Sequence, residues 1–528
     1  MAPPLSPAGR AGVAADTGGG PSSARKLVLI GFMGAGKTTA ARRTAEGLGL
    51  SAVDVDGAIE QRAGKPVAQI FAQDGEAAFR ALEEQITLEA LRGPDPIVAL
   101  GGGAVAAPAV RAALGGHLVV WLDVDPELAW RRCDGPERPL AADRARFEAL
   151  HAEREPLYAS LAGAVVPGER ASALAELVPA LAAAPAGVRT LWATSRSGDY
   201  PAYVGPGLLT GGFWPPTVPG RRFVVTDGTV GRLYPGVAEP VCGRVAVMPG
   251  EQSKTVAHAE IVWTELARAG LTREDVVVAV GGGVVGDLAG FCAATYQRGV
   301  RYVQVPTTLV AQVDSAYGGK TGVDLEEAKN YVGAFHLPSA VLSDTDALAS
   351  LPAAELAAGY AEVVKTALIA GGALWERVRG GADPAAPDVV AACALTKLRI
   401  VARDERDGGL RQVLNLGHTV GHAIETVTGY AAYRHGEAVA LGLLAALRLS
   451  GQDELREEVR ELLAARGLPD RLERAEAEAV VAATRRDKKR LGEGPVPFVL
   501  LEGPGRPRPG CPLAEHELLA AVRELARP

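Results

Sequence analysis

The sequence predicts an α/β protein: two successive strand-and-helix regions followed by a mostly helical third. Three observations carry this. Short apolar runs alternate with helical periodicity from Lys26 to about residue 180, the alternation returns near Tyr200, and beyond Ser343 helical periodicity takes over. In the first region "KLVLI", "AVDVD", "PIVALGGG" and "LVVWLDV" read as strands of a parallel sheet with flanking helices. Around "LAAAPAGVRTLWATSRS", Leu181 to Ser197, periodicity is lost and Pro, Gly and Ser accumulate, which predicts a boundary. In the second region "RRFVVTDGTV", "GRVAVMPG", "EDVVVAVGGG" and "GVRYVQVPTTL" supply the strands of a Rossmann-like α/β domain. From Ala353 onward "LAAGYAEVVKTALI", "PDVVAACALTKLRIVARDE" and "HGEAVALGLLAALRLS" are helical, with one late apolar run, "VPFVLL". The expected organisation is a disordered tail at 1–24, domains at 25–183, 199–343 and 344–528, and a linker at 184–198.

A chain of 528 residues is too long for one ordinary domain. With 48% hydrophobic and 22% charged residues it can bury real cores, and its net charge of −7 gives no reason to expect a nucleic-acid partner. The five cysteines, Cys133, Cys242, Cys292, Cys393 and Cys511, are far apart and lack CxxC spacing. Neither a disulfide framework nor a thiolate zinc site is expected, and a reducing, cytoplasmic setting fits. Residues 1–24 lack the apolar core of a signal peptide, and no segment approaches the roughly 20 apolar residues of a membrane span.

In "GFMGAGKT", Gly31, Gly36, Lys37 and Thr38 fit GxxxxGK[ST] between a strand and a helix. Such a loop turns the backbone N–H groups of Gly34, Ala35, Gly36 and Thr39 toward phosphates, with Lys37 neutralising charge and Thr38 holding Mg²⁺. The motif identifies a phosphate donor, ATP, but not an acceptor. For that, "VDVDGAIEQRAG", "IFAQDGEAAFRALE", "LGGGAV", "RPL" and "EREPLY" in this order resemble shikimate kinase across residues 26–180. The resemblance implies that Asp56 takes a ring hydroxyl and acts as its base, that Arg80 and Arg154 bind the carboxylate, and that Gly102 and Gly103 admit the ring. It further implies that Asp54 orders Mg²⁺ with Thr38 and that Arg138 closes over ATP from a lid. Taken singly, Asp54 and Asp56 read more often as strand-end or capping residues than as catalysts, and each arginine as a solvated charge; it is the set together that points to the site.

A second glycine triplet, Gly281 to Gly283 in "VVAVGGGVVGDLAG", also follows a strand and precedes a helix. It is not GxGxxG, and alone it fits a tight turn as well as a dinucleotide cradle. His418 and His422 share a helical face, but Thr419 stands where HExxH hydrolases need Glu, so a hydrolase is disfavoured; either histidine alone reads as a buried hydrogen-bonded residue or as a ligand. The wider set "PGEQSKT", "GGGVVGDLAGFCAATYQRG", "VPTTLVAQVDSAYGGKTGVD", "KNYVGAFH", "GYAEVVK", "DERDGGLRQVLNLGHTVGHAIE" and "HGEAVALG" resembles 3-dehydroquinate synthase from about Tyr200 to Gly505. That resemblance implies NAD on Asp227, Glu251, Lys254, Gly283, Val284, Val285, Gly286, Asp287, Thr307 and Thr308. It implies Zn²⁺ (or Co²⁺) on Glu362, His418 and His435, with His422 left to pass protons.

The substrate it implies, 3-deoxy-D-arabino-heptulosonate 7-phosphate, would be surrounded by Asp314, Lys320, Lys329, Asn330, Lys365, Lys397, Arg411 and Asn415, with Lys488 or Lys489 closing the pocket. Arg298 would reach a neighbouring subunit's substrate in a homodimer formed through this half. Two departures from the family pattern, Ala328 before the Lys-Asn pair and Leu416 for a common Phe, touch no catalytic group. The expectation is a bifunctional shikimate-pathway enzyme with small-molecule substrates. Its rivals are a kinase fused to another sugar-phosphate cyclase or to a polyol dehydrogenase, and a scaffold with one inactive half.

Overall fold

The computed structural model describes residues 25–133, 143–325, 329–485 and 497–526. The expected tail at 1–24, Arg138, Ala328, Lys488 and Lys489 lie outside the described residues. The chain divides into two compact units, Met1–Ala193 with Pro215–Thr217, and Thr194–Trp214 with Val218–Pro528.

The first unit is built on strands β1 (Leu27–Ile30), β2 (Ala52–Asp54), β3 (Ile97–Ala99), β4 (Leu118–Asp123), β5 (Ala164–Pro167) and β6 (Arg189–Thr194). They pair in parallel in the order β2-β3-β1-β4-β5-β6. Val28, Leu29, Val98 and Val120 have no exposed surface, as expected of strands covered by helices on both faces. The chain leaves β1 toward β2 and returns to β4 on the other side, so a crevice opens at the carboxyl ends of the central strands. The loop Gly31–Gly36 leaves β1 there, Gly101–Gly103 leave β3 there, and Asp54 ends β2 there. "AVDVD", expected as one strand, divides: Val55 opens the helix Val55–Ala63, which puts Asp56 in its first turn.

Residues 184–198, expected as a linker, include β6. Thr190, Leu191 and Ala193 are buried, and Thr190 is in register with Ala164 of β5. The flanking Pro and Gly conceal this short strand in the sequence.

The second unit has a parallel sheet of β7 (Asp199–Gly205), β8 (Arg222–Asp227), β9 (Val241–Val247), β10 (Val276–Gly281), β11 (Arg301–Pro306) and β14 (Ala340–Asp344) in the order β7-β14-β11-β10-β8-β9. Between β11 and β14 the chain makes an antiparallel hairpin, β12 (Lys320–Val323) with β13 (Val332–Phe335). The helix Gly283–Thr295 packs on the sheet through Leu288, Ala289 and Phe291, against Phe223, Val277 and Tyr302. Its approach to the hairpin is close enough that a Cβ on Gly290 would lie 2.5 Å from Thr321 Cγ2.

Beyond β14 come the helices Ala353–Ala370, Pro387–Arg403, His418–Val427 and His435–Leu449. The late apolar run forms β15 (Phe498–Leu501), antiparallel to β16 (Pro507–Cys511). Among the described residues no helix is long and apolar enough to cross a membrane.

Asp275 fastens the entry to β8. Its Oδ2 accepts from Arg221 Nη2 at 2.7 Å, Thr272 N at 2.7 Å and Thr272 Oγ1 at 2.9 Å, and its Oδ1 accepts from Arg221 Nε at 3.1 Å. These donors, Arg221 foremost, hold its carboxyl well below the usual range despite burial. A depressed pKa stabilises the fold above the unfolded value of about 3.9, and that stability is lost as pH falls through the folded value. Asp275→Asn is therefore expected to cost the second unit about 1–3 kcal/mol at neutral pH. In urea titrations the deficit relative to the parent should shrink as pH drops below about 4; a deficit that stays constant would reject the ionic origin.

Candidate active sites

In the first unit the phosphate loop ends at Gly36, in the left-handed region at φ 90°, which caps the helix Lys37–Leu48. Only glycine takes that conformation without strain. Lys37 Nζ donates to Gly31 O at 2.8 Å and Phe32 O at 3.1 Å, so its ammonium lies across the loop. Gly34 and Ala35 lie within that loop, Thr38 and Thr39 are exposed in the first turn of the helix, and Asp54 is half-buried.

Around the glycines after β3 the expected acceptor residues converge. Arg154 Nη1 and Tyr158 Oη donate to Gly102 O at 3.2 and 2.6 Å. Arg80 lies beside Phe79, its guanidinium carbon 5.2 Å from the ring centroid, and it pairs with the buried Glu83 at 2.5 Å. A Cβ on Gly103 would lie 2.1 Å from Arg80 Nη1, and one on Gly101 2.7 Å from Asp56 Oδ1, so side chains there would displace both groups. Burial raises the Glu83 carboxyl above its usual range, partly offset by Arg80. Glu83 and Tyr158 were not expected from the sequence. Both are single residues on helices: Tyr158 gains its partner only in the tertiary structure, and Glu83, three residues after its partner Arg80, gains only its burial there.

The second unit contains a cavity of about 810 Å³, open to the carboxyl ends of β8, β10 and β11. Gly283 begins the helix Gly283–Thr295, and Gly283, Val284, Val285 and Asp287 of its first turn line the cavity. A helix start of this kind suits a pyrophosphate. Gly286 faces the sheet instead, where a Cβ would lie 2.6 Å from Gln304 Oε1. A Cβ on Gly282 would come within 2.9 Å of Thr308 Cγ2, and one on Gly281 within 2.7 Å of the Val285 side chain. Thr307 and Thr308 line the cavity too. Lys254 Nζ is 2.6 Å from Asp287 Oδ2, and Lys329 Nζ is 3.3 Å from Glu251 Oε1. Asp227 Oδ1 accepts from Thr229 N and Val230 N at 2.8 and 2.9 Å, so one of its oxygens serves its own turn.

The cavity's far wall includes His422, Glu425 and His435. Ligand atoms of Glu362, His418 and His435 lie within 4.8 Å of one another, as do those of His422, Glu425 and His435. Glu362 Oε1 is 3.4 Å from His418 Nε2 and 3.1 Å from His435 Nε2, while its Oε2 meets Lys365 Nζ at 2.5 Å. Two imidazoles and a carboxylate make a donor set that fits a catalytic zinc site with an open position. Burial lowers the pKa of His418; for His435 hydrogen bonds to Glu362 and Glu425 overcome burial and raise it, and a metal ion bound at Nε2 would displace the proton held there.

Next to this set, Asp314 takes Lys365 Nζ on Oδ2 at 2.6 Å and Lys397 Nζ on Oδ1. Burial opposes ionisation of Asp314, but the two lysines outweigh it and keep the carboxyl low. Burial pushes Lys397 down to about 8. Lys320 pairs with Asp407 at 2.6 Å, the buried Arg411 donates to Gly318 O at 3.2 Å, and Asn415 ends the short helix Leu410–Asn415. Asn330 is exposed, and its N donates to Asp324 Oδ1 at 2.7 Å. Arg298 stands apart, exposed at the end of the turn Tyr296–Arg298 at φ 67° and outside the cavity lining.

The family model described as shikimate kinase matches residues 33–182, and those for the N- and C-terminal parts of 3-dehydroquinate synthase match 244–358 and 359–490. The 3-dehydroquinate synthase of Halorhodospira halophila is 47% identical over 274 residues, 50% of this chain and 77% of that protein. The chain belongs to the 3-dehydroquinate synthase family. A shikimate kinase domain is fused ahead of the synthase, and both are enzyme domains.

The synthase of Geobacter metallireducens is 45% identical over 303 residues, 53% of this chain and 83% of that protein. A solved 2-epi-5-epi-valiolone synthase from Streptomyces hygroscopicus, with NAD⁺ and Zn²⁺ bound, superposes with a TM-score of 0.57 at 26% identity, covering 62% of this chain and 96% of its own. In the synthase half the sequence did not single out Glu425. It follows His422 by three residues in "GHTVGHAIE", and helical spacing puts it on the face of the two histidines, a signal that could have found it.

Proposed function

We propose that the chain catalyses two steps of aromatic biosynthesis. The kinase domain phosphorylates shikimate from ATP with Mg²⁺, and the synthase half converts 3-deoxy-D-arabino-heptulosonate 7-phosphate to 3-dehydroquinate and phosphate with NAD and Zn²⁺ or Co²⁺. The observation that carries the synthase reading is a single cavity whose wall includes both the helix start at Gly283 and the imidazole of His435. NAD bound there would take up and return a hydride, and the metal would polarise the hydroxyl that loses it.

The chain's own residues do the rest. Asp314, held between Lys365 and Lys397, fixes substrate hydroxyls. Lys320, Lys329, Asn330, Arg411 and Asn415 receive the phosphate and carboxylate, and His422 moves a proton beside the metal ligands. In the kinase, Asp56 receives the proton of the reacting hydroxyl, Arg80 and Arg154 grip the carboxylate beside Gly102 and Gly103, and Lys37 with Thr38, Asp54 and Mg²⁺ neutralises the phosphates. The synthase half works as a homodimer in which the exposed Arg298 reaches the partner's substrate, and five cysteines of which none forms a disulfide suit a cytoplasmic setting.

The nearest rival is a cyclase that makes a different ring, and the fused kinase domain favours the shikimate series over it. Assaying the full-length chain for ATP-dependent shikimate phosphorylation and for phosphate release from the heptulosonate phosphate tests the reading. Both activities are expected. Phosphate release only from another sugar phosphate would reassign the synthase half.

A further inference from the structure

His435 stands between two carboxylates: its Nε2 lies 3.1 Å from Glu362 Oε1, and its Nδ1 lies 3.3 Å from Glu425 Oε2. A neutral imidazole carries one proton, so the nitrogen that keeps it decides which nitrogen offers a lone pair. For His418 the main chain makes that choice. Its Nδ1 faces Leu416 O at 3.2 Å, an atom that can only accept, which leaves Nε2 for the ligand cluster. For His435 the group opposite Nδ1 is a side chain, Glu425.

Helix geometry delivers it. His418, His422 and Glu425 fall at i, i+4 and i+7 of the helix His418–Val427 and project from one face, against the start of the helix His435–Leu449. The Glu425 side chain is only 5% exposed, and its Oε1 lies 3.6 Å from Lys329 Nζ, so the buried charge has a partner on each oxygen.

We propose that Glu425 is a positioning residue that holds His435 with its proton on Nδ1 and thereby aims Nε2 at the metal position shared with Glu362 and His418. This rests on the zinc reading above. With no acceptor at Nδ1 the proton can move to Nε2 and be donated to Glu362 Oε1, which withdraws a nitrogen and a carboxylate lone pair from the metal together. An acceptor at Nδ1 also fixes the ring plane and makes the imidazole a stronger donor.

The test uses full-length protein stripped of metal and titrated with Zn²⁺ against a chromophoric chelator, together with the visible spectrum of the Co²⁺ form. Glu425→Ala is expected to weaken Zn²⁺ binding by about 10–100-fold and to alter the Co²⁺ bands. Glu425→Gln, whose amide oxygen still accepts from Nδ1, should restore most of that affinity. Glu425→Leu, which fills the same volume, replaces the alanine variant if circular dichroism shows it unfolded. Zn²⁺ binding unchanged in Glu425→Ala or Glu425→Leu overturns the proposal. A loss in Glu425→Gln as deep as in Glu362→Gln also overturns it, by making Glu425 a ligand in its own right. His418→Ala separates the two levels: undiminished Zn²⁺ binding there defeats the zinc reading itself, whereas its normal loss beside unaffected Glu425 variants defeats the positioning role alone.

Discussion

Lys37→Ala is expected to lower ATP-dependent shikimate phosphorylation by about 10²–10³-fold or more while leaving phosphate release by the synthase half unchanged. The ammonium lies across the loop, 2.8 Å from Gly31 O, and the alanine variant has no charge to offer a transferred phosphoryl group. Synthase activity should survive because every residue assigned to it belongs to the second compact unit, whereas Lys37 belongs to the first. Steady-state assays of both reactions on one preparation measure this. Equal loss of both activities in a folded variant would reject two independent sites.

Removing the metal should silence the other half just as thoroughly. An exhaustively chelated preparation is expected to release no phosphate from the heptulosonate phosphate, to recover with Zn²⁺ or Co²⁺, and to leave shikimate phosphorylation in added Mg²⁺ intact. His418→Ala should recover poorly, because it deletes one nitrogen of a three-donor set. Throughout turnover no reduced nicotinamide should accumulate, since a hydride that is returned leaves no net redox change. A polyol dehydrogenase would behave in the opposite way. Absorbance at the reduced-nicotinamide band rising in step with substrate consumed, without phosphate, would sink the synthase reading and spare the kinase.

The sequence made legible those features whose signal is local. Strands covered on both faces, such as "VVVAV" before Gly281, announce themselves as apolar runs, and the phosphate loop announces itself by spacing. Tyr158 and Glu425 escaped because their partners lie on other elements: the Gly102 carbonyl is 56 positions from Tyr158, and His435 starts a separate helix from Glu425. Glu83 pairs with Arg80 one turn earlier, and what the sequence conceals there is its burial beside the glycines after β3. Strand β6 escaped for another reason. Its short apolar core, Leu191 to Ala193, is only three residues long, and "APAG" before and "SRSG" after dominate any window wide enough to read it as a strand.

The glycines after β10 are held from within. Side chains at Gly281 and Gly282 are barred by Val285 and Thr308, and a Cβ on Gly283 would stand 3.0 Å from Ser315 Oγ, all of them the protein's own atoms. An alanine scan of this loop would therefore report distortion of the scaffold, whatever ligand it greets. Anyone seeking to retune what the cavity accepts has to leave the loop untouched and work along its rim. There Leu233 and Met248, 51% and 61% exposed, border the same space and can be exchanged without disturbing the sheet beneath.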